Sequence, residues 1–150
     1  MPRWISLFAL AIALAMPVGR AAAAAEGDHA HVEVAPAKTS IYVGVVTLTT
    51  PTFVRKEGLY ETTYTAKVFP YFFYNETGRL TIEMSDEQLG ALARGETVEF
   101  KGRGVRADGT ERRVEGKATP ADAKSGKLKV RVFVSKKVEL IFNTTYRFVP

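Results

Sequence analysis

The chain contains no cysteine, and only two of its 150 residues are histidine. The first absence rules out disulfides, a thiolate nucleophile and cysteine-held metals, so the fold must be held by its core. Both histidines, His29 and His31, precede the regular part of the sequence, so no Cys-His or Ser-His pair on a rigid scaffold is available for nucleophilic catalysis. No phosphate-cradling glycine loop and no nucleic-acid motif is present. No apolar run after the first residues approaches the eighteen needed for a membrane helix. These absences point to a non-enzymatic binding or interaction module with no cofactor and no sequence-specific nucleic-acid partner. A carboxylate-based enzyme is the residual alternative, because paired acids leave little trace in a sequence.

What is present begins with an export signal. Arg3 is followed by an apolar run from Ile5 to Ala15, breakers at Pro17 and Gly19, and alanines ending in Ala23-x-Ala25. The run is too short to span a bilayer, and the small residues suit a signal peptidase, so residues 1–25 are expected to be removed. The expected product is periplasmic or extracellular and has no transmembrane anchor. Residues 26–39 carry few large apolar side chains and read as a flexible lead-in to a single domain over 40–150.

From Ser40 the sequence changes character. IYVGVVTLTT (41–50), LYETTYTAKVF (59–69), RLTIEM (79–84), TVEFKGRGVR (97–106), ERRVEGKAT (111–119), KLKVRVFV (127–134) and VELIFNTTYRF (138–148) are short, mostly alternating and punctuated by turn residues. This pattern predicts an all-β fold, an antiparallel barrel or sandwich of about seven or eight strands. One helix interrupts it. Ser85-Asp86-Glu87-Gln88 has the form of a capping box, Met84 and Leu89 have staple spacing, and Gly95 suits a left-handed cap, which together predict a helix over 86–94.

The hairpin around Asp108-Gly109 can be registered from its own side chains. A three-residue loop with Gly109 left-handed pairs Val98 with Ala118, Phe100 with Gly116 and Gly102 with Val114 on one face. The other face then pairs Glu99 with Lys117 and Lys101 with Glu115.

Two features are candidate sites. The stretch from Phe69 to Tyr74 places five aromatic rings around Pro70. Its first reading is core: a strand bent at Pro70, one row of rings inside and the other covered by the helix or the lead-in. Its functional reading is a groove in which Tyr71, Phe72, Phe73 and Tyr74 hold a small apolar ligand. The second feature is basic. Residues 26–93 carry five Lys/Arg against nine Asp/Glu, and residues 94–150 carry fourteen against seven. Arg103, Arg106, Arg112 and Arg113 gather at one hairpin tip, a candidate patch for an anionic envelope polymer or lipid head group. The pair His29 and His31 lacks a third strong ligand, so no metal is expected. The sequence thus favours docking on an anionic envelope component, with a small β-barrel carrier of an apolar ligand as the alternative.

Overall fold

The computed structural model describes residues 29–42 and 44–150. The expected export signal and its cleavage bond lie outside the described residues. Among the described residues, ten strands and one α-helix follow in chain order: β1 (His31–Val34), β2 (Ala37–Ile41), β3 (Gly44–Thr49), β4 (Phe53–Lys56), β5 (Leu59–Phe69), β6 (Glu76–Glu83), α1 (Asp86–Ala93), β7 (Val98–Arg106), β8 (Glu111–Pro120), β9 (Ser125–Phe133) and β10 (Glu139–Val149).

All pairings are antiparallel, and β5 closes on β6, so β4 through β10 and β1 form an eight-stranded barrel. The strands β2 and β3 form a hairpin that extends one end of it, with β3 laddered to residues 65–69 of β5.

Residues 31–39, expected to lie in the lead-in, instead build β1 and much of β2. They carry few large apolar side chains, but the alternation of Val32 and Val34 suffices for pairing with Phe148 and Tyr146 on β10. The domain therefore begins by His31. Another short strand, β4, also escaped the sequence reading, because FVRK is too brief to show a period.

The hairpin between β7 and β8 adopts the expected register, including Phe100 opposite Gly116 and Glu99 opposite Lys117. Gly109 has φ +89° and donates to the Arg106 carbonyl at 2.9 Å, which turns the three-residue loop. The helix also forms where expected. Ser85 Oγ accepts from the Gln88 amide at 3.1 Å while Gln88 Oε1 accepts from the Ser85 amide at 2.8 Å. At its other end Gly95 is left-handed, and the Glu96 amide returns to the Ala91 carbonyl at 2.9 Å.

The two barrel ends differ. α1 closes one of them, burying Leu89 and Leu92 against Met84, Val98 and Phe100. The side chain of Arg55, only 7% exposed, fastens this plug by donating to the Met84 carbonyl at 2.7 Å and pairing with Asp86 at 2.9 Å. Tyr60 and Phe148 complete the packing, with the Tyr60 hydroxyl donating to the His29 carbonyl at 2.7 Å. Among the described residues, no α-helix crosses the opposite end. It is framed by the turn at Tyr42, the segment 70–75, and the hairpin loops 107–110 and 134–138.

Candidate functional site

The open end is hollow because alternation sends every second side chain inward. Val46, Leu48, Ala66, Val68, Leu80, Val114, Val130, Val132, Leu140 and Phe142 line a cavity of about 730 Å³ there. That volume lies within the range of small-molecule sites, roughly 300–1,000 Å³. Phe142, with Leu48, Leu80, Val114 and Val130, also lines a second cavity of about 90 Å³ that reaches Met84, Leu92 and Phe100 toward the closed end. The Thr50 hydroxyl lies on the wall of this second cavity and is the one buried side-chain polar atom among the described residues without a partner.

One side of the cavity is a seam. β10 is laddered to β1 as far as Val34, and Thr144 Oγ1 then donates to the Ala35 carbonyl at 2.7 Å. Beyond that point β2 is laddered to β3 alone among the described strands. Ala37, Val46 and Phe142, with Ile41 and Leu140 against them, fill the gap by side-chain packing in place of a ladder. Such a seam parts without breaking backbone hydrogen bonds.

A polar cluster hangs over the apolar wall. Arg112 Nη2 lies 2.9 Å from Glu76 Oε1, Arg106 Nε lies 3.0 Å from the same oxygen, and the Tyr64 hydroxyl donates to Glu76 Oε2 at 2.6 Å. Arg112 also donates to the Val134 carbonyl at 2.8 Å, which ties β8 to the β9–β10 loop. Tyr64 can take this position because its neighbours on β6 and β7 are Gly78 and Gly104; a Cβ on Gly78 would sit 2.8 Å from the Tyr64 ring. Burial and its bond to Glu76 push the Tyr64 hydroxyl well above its ordinary pKa. Burial alone would raise the Glu76 pKa, but the hydrogen bonds from Arg112 and Tyr64, with the charges of Arg112 and Arg106, outweigh it and hold the carboxyl below its usual value.

The four arginines expected to form one basic patch are therefore divided. Arg106 and Arg112 occupy inward positions at the cavity mouth. Arg103 and Arg113 face outward opposite each other, Arg103 beside Glu111 at 3.5 Å and Arg113 beside Glu115 at 3.8 Å, the latter stacked on Phe133 at 4.1 Å. The division follows from strand parity, which separates Arg112 from Arg113 by a full face of the sheet.

The aromatic segment is not core. β5 ends at Phe69, the Phe69–Pro70 bond is cis, and Phe72–Tyr74 form one turn of 3₁₀ helix. Phe69, Phe72, Phe73 and Tyr74 are 74%, 75%, 65% and 67% exposed, and Tyr71 is 37% exposed. Pro70 cannot donate to a ladder, so the strand stops, inside-outside alternation stops with it, and the rings turn out at the rim. α1, expected to cover them, lies at the other end of the barrel. The rings pack on one another, with Phe73 4.6 Å from Tyr74 and 5.6 Å from Tyr71. Phe73 and Tyr74 also border the cavity mouth, whereas Tyr71 and Phe72 do not.

His29 lies at the closed end, edge-on to the Phe148 ring at 4.5 Å, and His31 is on β1. Among the described residues, no group of three His, Cys, Asp or Glu gathers as a metal site. Among them too, no helix is long and apolar enough to cross a membrane. The interior cluster of Tyr64, Glu76, Arg106 and Arg112 is the site that sequence reading missed as a unit. Its signal was the inward parity of residues 64, 76, 106 and 112 once the strands are registered. No protein-family model matches the chain, and neither a curated protein nor a solved structure is significantly similar to it.

Proposed function

We propose that the protein is an exported, non-enzymatic carrier that holds a small apolar ligand in the open half of its barrel. The observation that supports this reading is the apolar cavity of about 730 Å³, open at one end and sealed by α1 at the other. A well-packed core holds few voids larger than a water molecule, so a hollow of this size at one end calls for an occupant. The exposed rings of Phe73 and Tyr74 at its lip give an apolar ligand a first contact on its way in. Export rests on the N-terminal sequence.

Catalysis by paired acids is not favoured by the geometry. Of the two acids bordering the cavity, Glu76 is engaged by arginine and tyrosine, and Glu139 is turned to Arg131 at 3.4 Å. Docking on an envelope polymer loses half of its basis, since Arg106 and Arg112 are turned inward and Arg103 and Arg113 each have a glutamate alongside.

The test is titration with an environment-sensitive apolar fluorophore against the wild type and two cavity-filling variants, Ala66→Trp and Val132→Phe. Saturable one-site binding that both variants weaken tenfold or more, with unchanged far-UV circular dichroism, is the expected result. Equal binding by folded variants would place the dye outside the barrel and overturn the carrier.

A further inference from the structure

We infer that the ligand is a single-chain amphiphile with an ionised carboxylate head, its tail on the Leu80–Val130–Phe142 wall and its head at Arg106 and Arg112. This rests on the carrier reading and adds the chemistry of the ligand. The cavity is itself amphipathic. Its deep wall is aliphatic, and its charged side chains gather at the mouth: Arg106, Arg112 and Lys137 against Glu76 and Glu139. Glu139 is drawn to Arg131 on the outer surface, and Asp108, 3.7 Å from Arg106, is an exposed loop residue. Toward the hollow, three cations then face the single carboxylate of Glu76. The excess is positive, and an anionic head restores the balance.

The geometry also suits a carboxylate in particular. Glu76 already displays the recognition mode: one oxygen shared between two guanidinium groups and the other receiving a tyrosine hydroxyl. Guanidinium groups bind planar two-oxygen acceptors with directional, charge-assisted hydrogen bonds, and Arg106, a lining residue of the cavity, remains 36% exposed. A ligand head entering here would complete two arginines with two carboxylates. Because Glu76 repels that head while helping to hold the arginines, its removal should strengthen the binding of an acid and leave a neutral analogue unaffected.

The experiment is isothermal titration calorimetry with dodecanoate and dodecanol, each below its aggregation concentration and at the same ionic strength. The wild type should bind dodecanoate at least tenfold more tightly than dodecanol. Arg106→Gln should erase that preference while leaving dodecanol affinity within twofold, and Arg112→Lys should reduce the preference without erasing it. Glu76→Gln should tighten dodecanoate binding alone. Equal affinity of the wild type for acid and alcohol would overturn the head-group assignment and leave the carrier standing. Failure of both ligands to bind would overturn both readings. Should Arg106→Gln fold poorly, the salt dependence of the wild type decides: dodecanoate affinity must fall with added salt relative to dodecanol, and parallel curves contradict the proposal.

Discussion

Arg112 on β8 reaches past β7 to place Nη2 2.9 Å from Glu76 Oε1 on β6, which brings together residues that are 36 apart in sequence. This ion pair is inside the barrel and at the mouth of its cavity, where it ties β8 to β6 across the intervening strand.

The pair sets an acid limit on stability. The Glu76 carboxyl titrates below its ordinary 4.5 in the folded chain, so the unfolded chain takes up the proton first as pH falls. Its contribution is complete above that ordinary value and is lost as pH drops through the lowered one. Thermal melts from pH 6 to pH 2 should show the wild type losing stability over this window. Glu76→Gln should show a lower melting temperature at pH 6 and a shallower acid slope. Identical slopes would mean that Glu76 is uncoupled from folding.

An alkaline limit comes from buried tyrosines. Burial pushes the Tyr60 hydroxyl from 10.0 to about 12, and it also raises Tyr64 and Tyr146. The unfolded chain therefore loses these protons first, and the stability they confer is intact below pH 10 and lost as pH rises through the folded values. For Tyr60 the loss runs from pH 10 to about pH 12, so most of it is developed by pH 11.5. Denaturant unfolding at pH 8 and pH 11.5 should show a loss that is smaller in Tyr60→Phe.

Phe100 covers Gly116 directly across the β7–β8 ladder, and a Cβ there would collide with its ring. Gly116→Ala should therefore destabilise the protein by about 1–3 kcal/mol through overpacking, although alanine ordinarily favours a strand over glycine. Equilibrium urea unfolding measures this directly. A neutral or stabilising substitution would show that the ring is free to move aside.

The rim rings should affect ligand exchange and leave stability alone. Phe73 and Tyr74 lie on an exposed 3₁₀ turn at the cavity mouth, so replacing both with Ser should change stability by no more than about 0.5 kcal/mol. Stopped-flow mixing with an apolar fluorophore should show slower uptake in the double variant. Unchanged rates would remove the rings from the access route.

Much of this architecture is legible in the sequence where a signal is local. The capping box at Ser85 and Gln88, the left-handed Gly95 and the charge pairing that registers β7 on β8 each depend on residues near one another in the chain. Ring closure was not legible, because the pairing of β1 with β10 joins residues more than a hundred positions apart. The aromatic segment misled for a physical reason. Burial of Phe and Tyr is the general rule, and only the stop of β5 at Pro70 decides that these rings turn out. The arginines misled through parity. Arg112 and Arg113 are adjacent in sequence and on opposite sides of the barrel wall, a distinction that shows only once the strands are registered.

The most direct measurement is a crystal structure of the protein soaked with an ω-bromo long-chain carboxylate, with anomalous data collected at the bromine edge. A carrier should show the bromine inside the barrel, near Leu80, Val130 and Phe142, with the carboxylate at Arg106 and Arg112. Bromine found only against Phe72 and Phe73 on the outside, or an interior with no bound chain at saturating ligand, would contradict it.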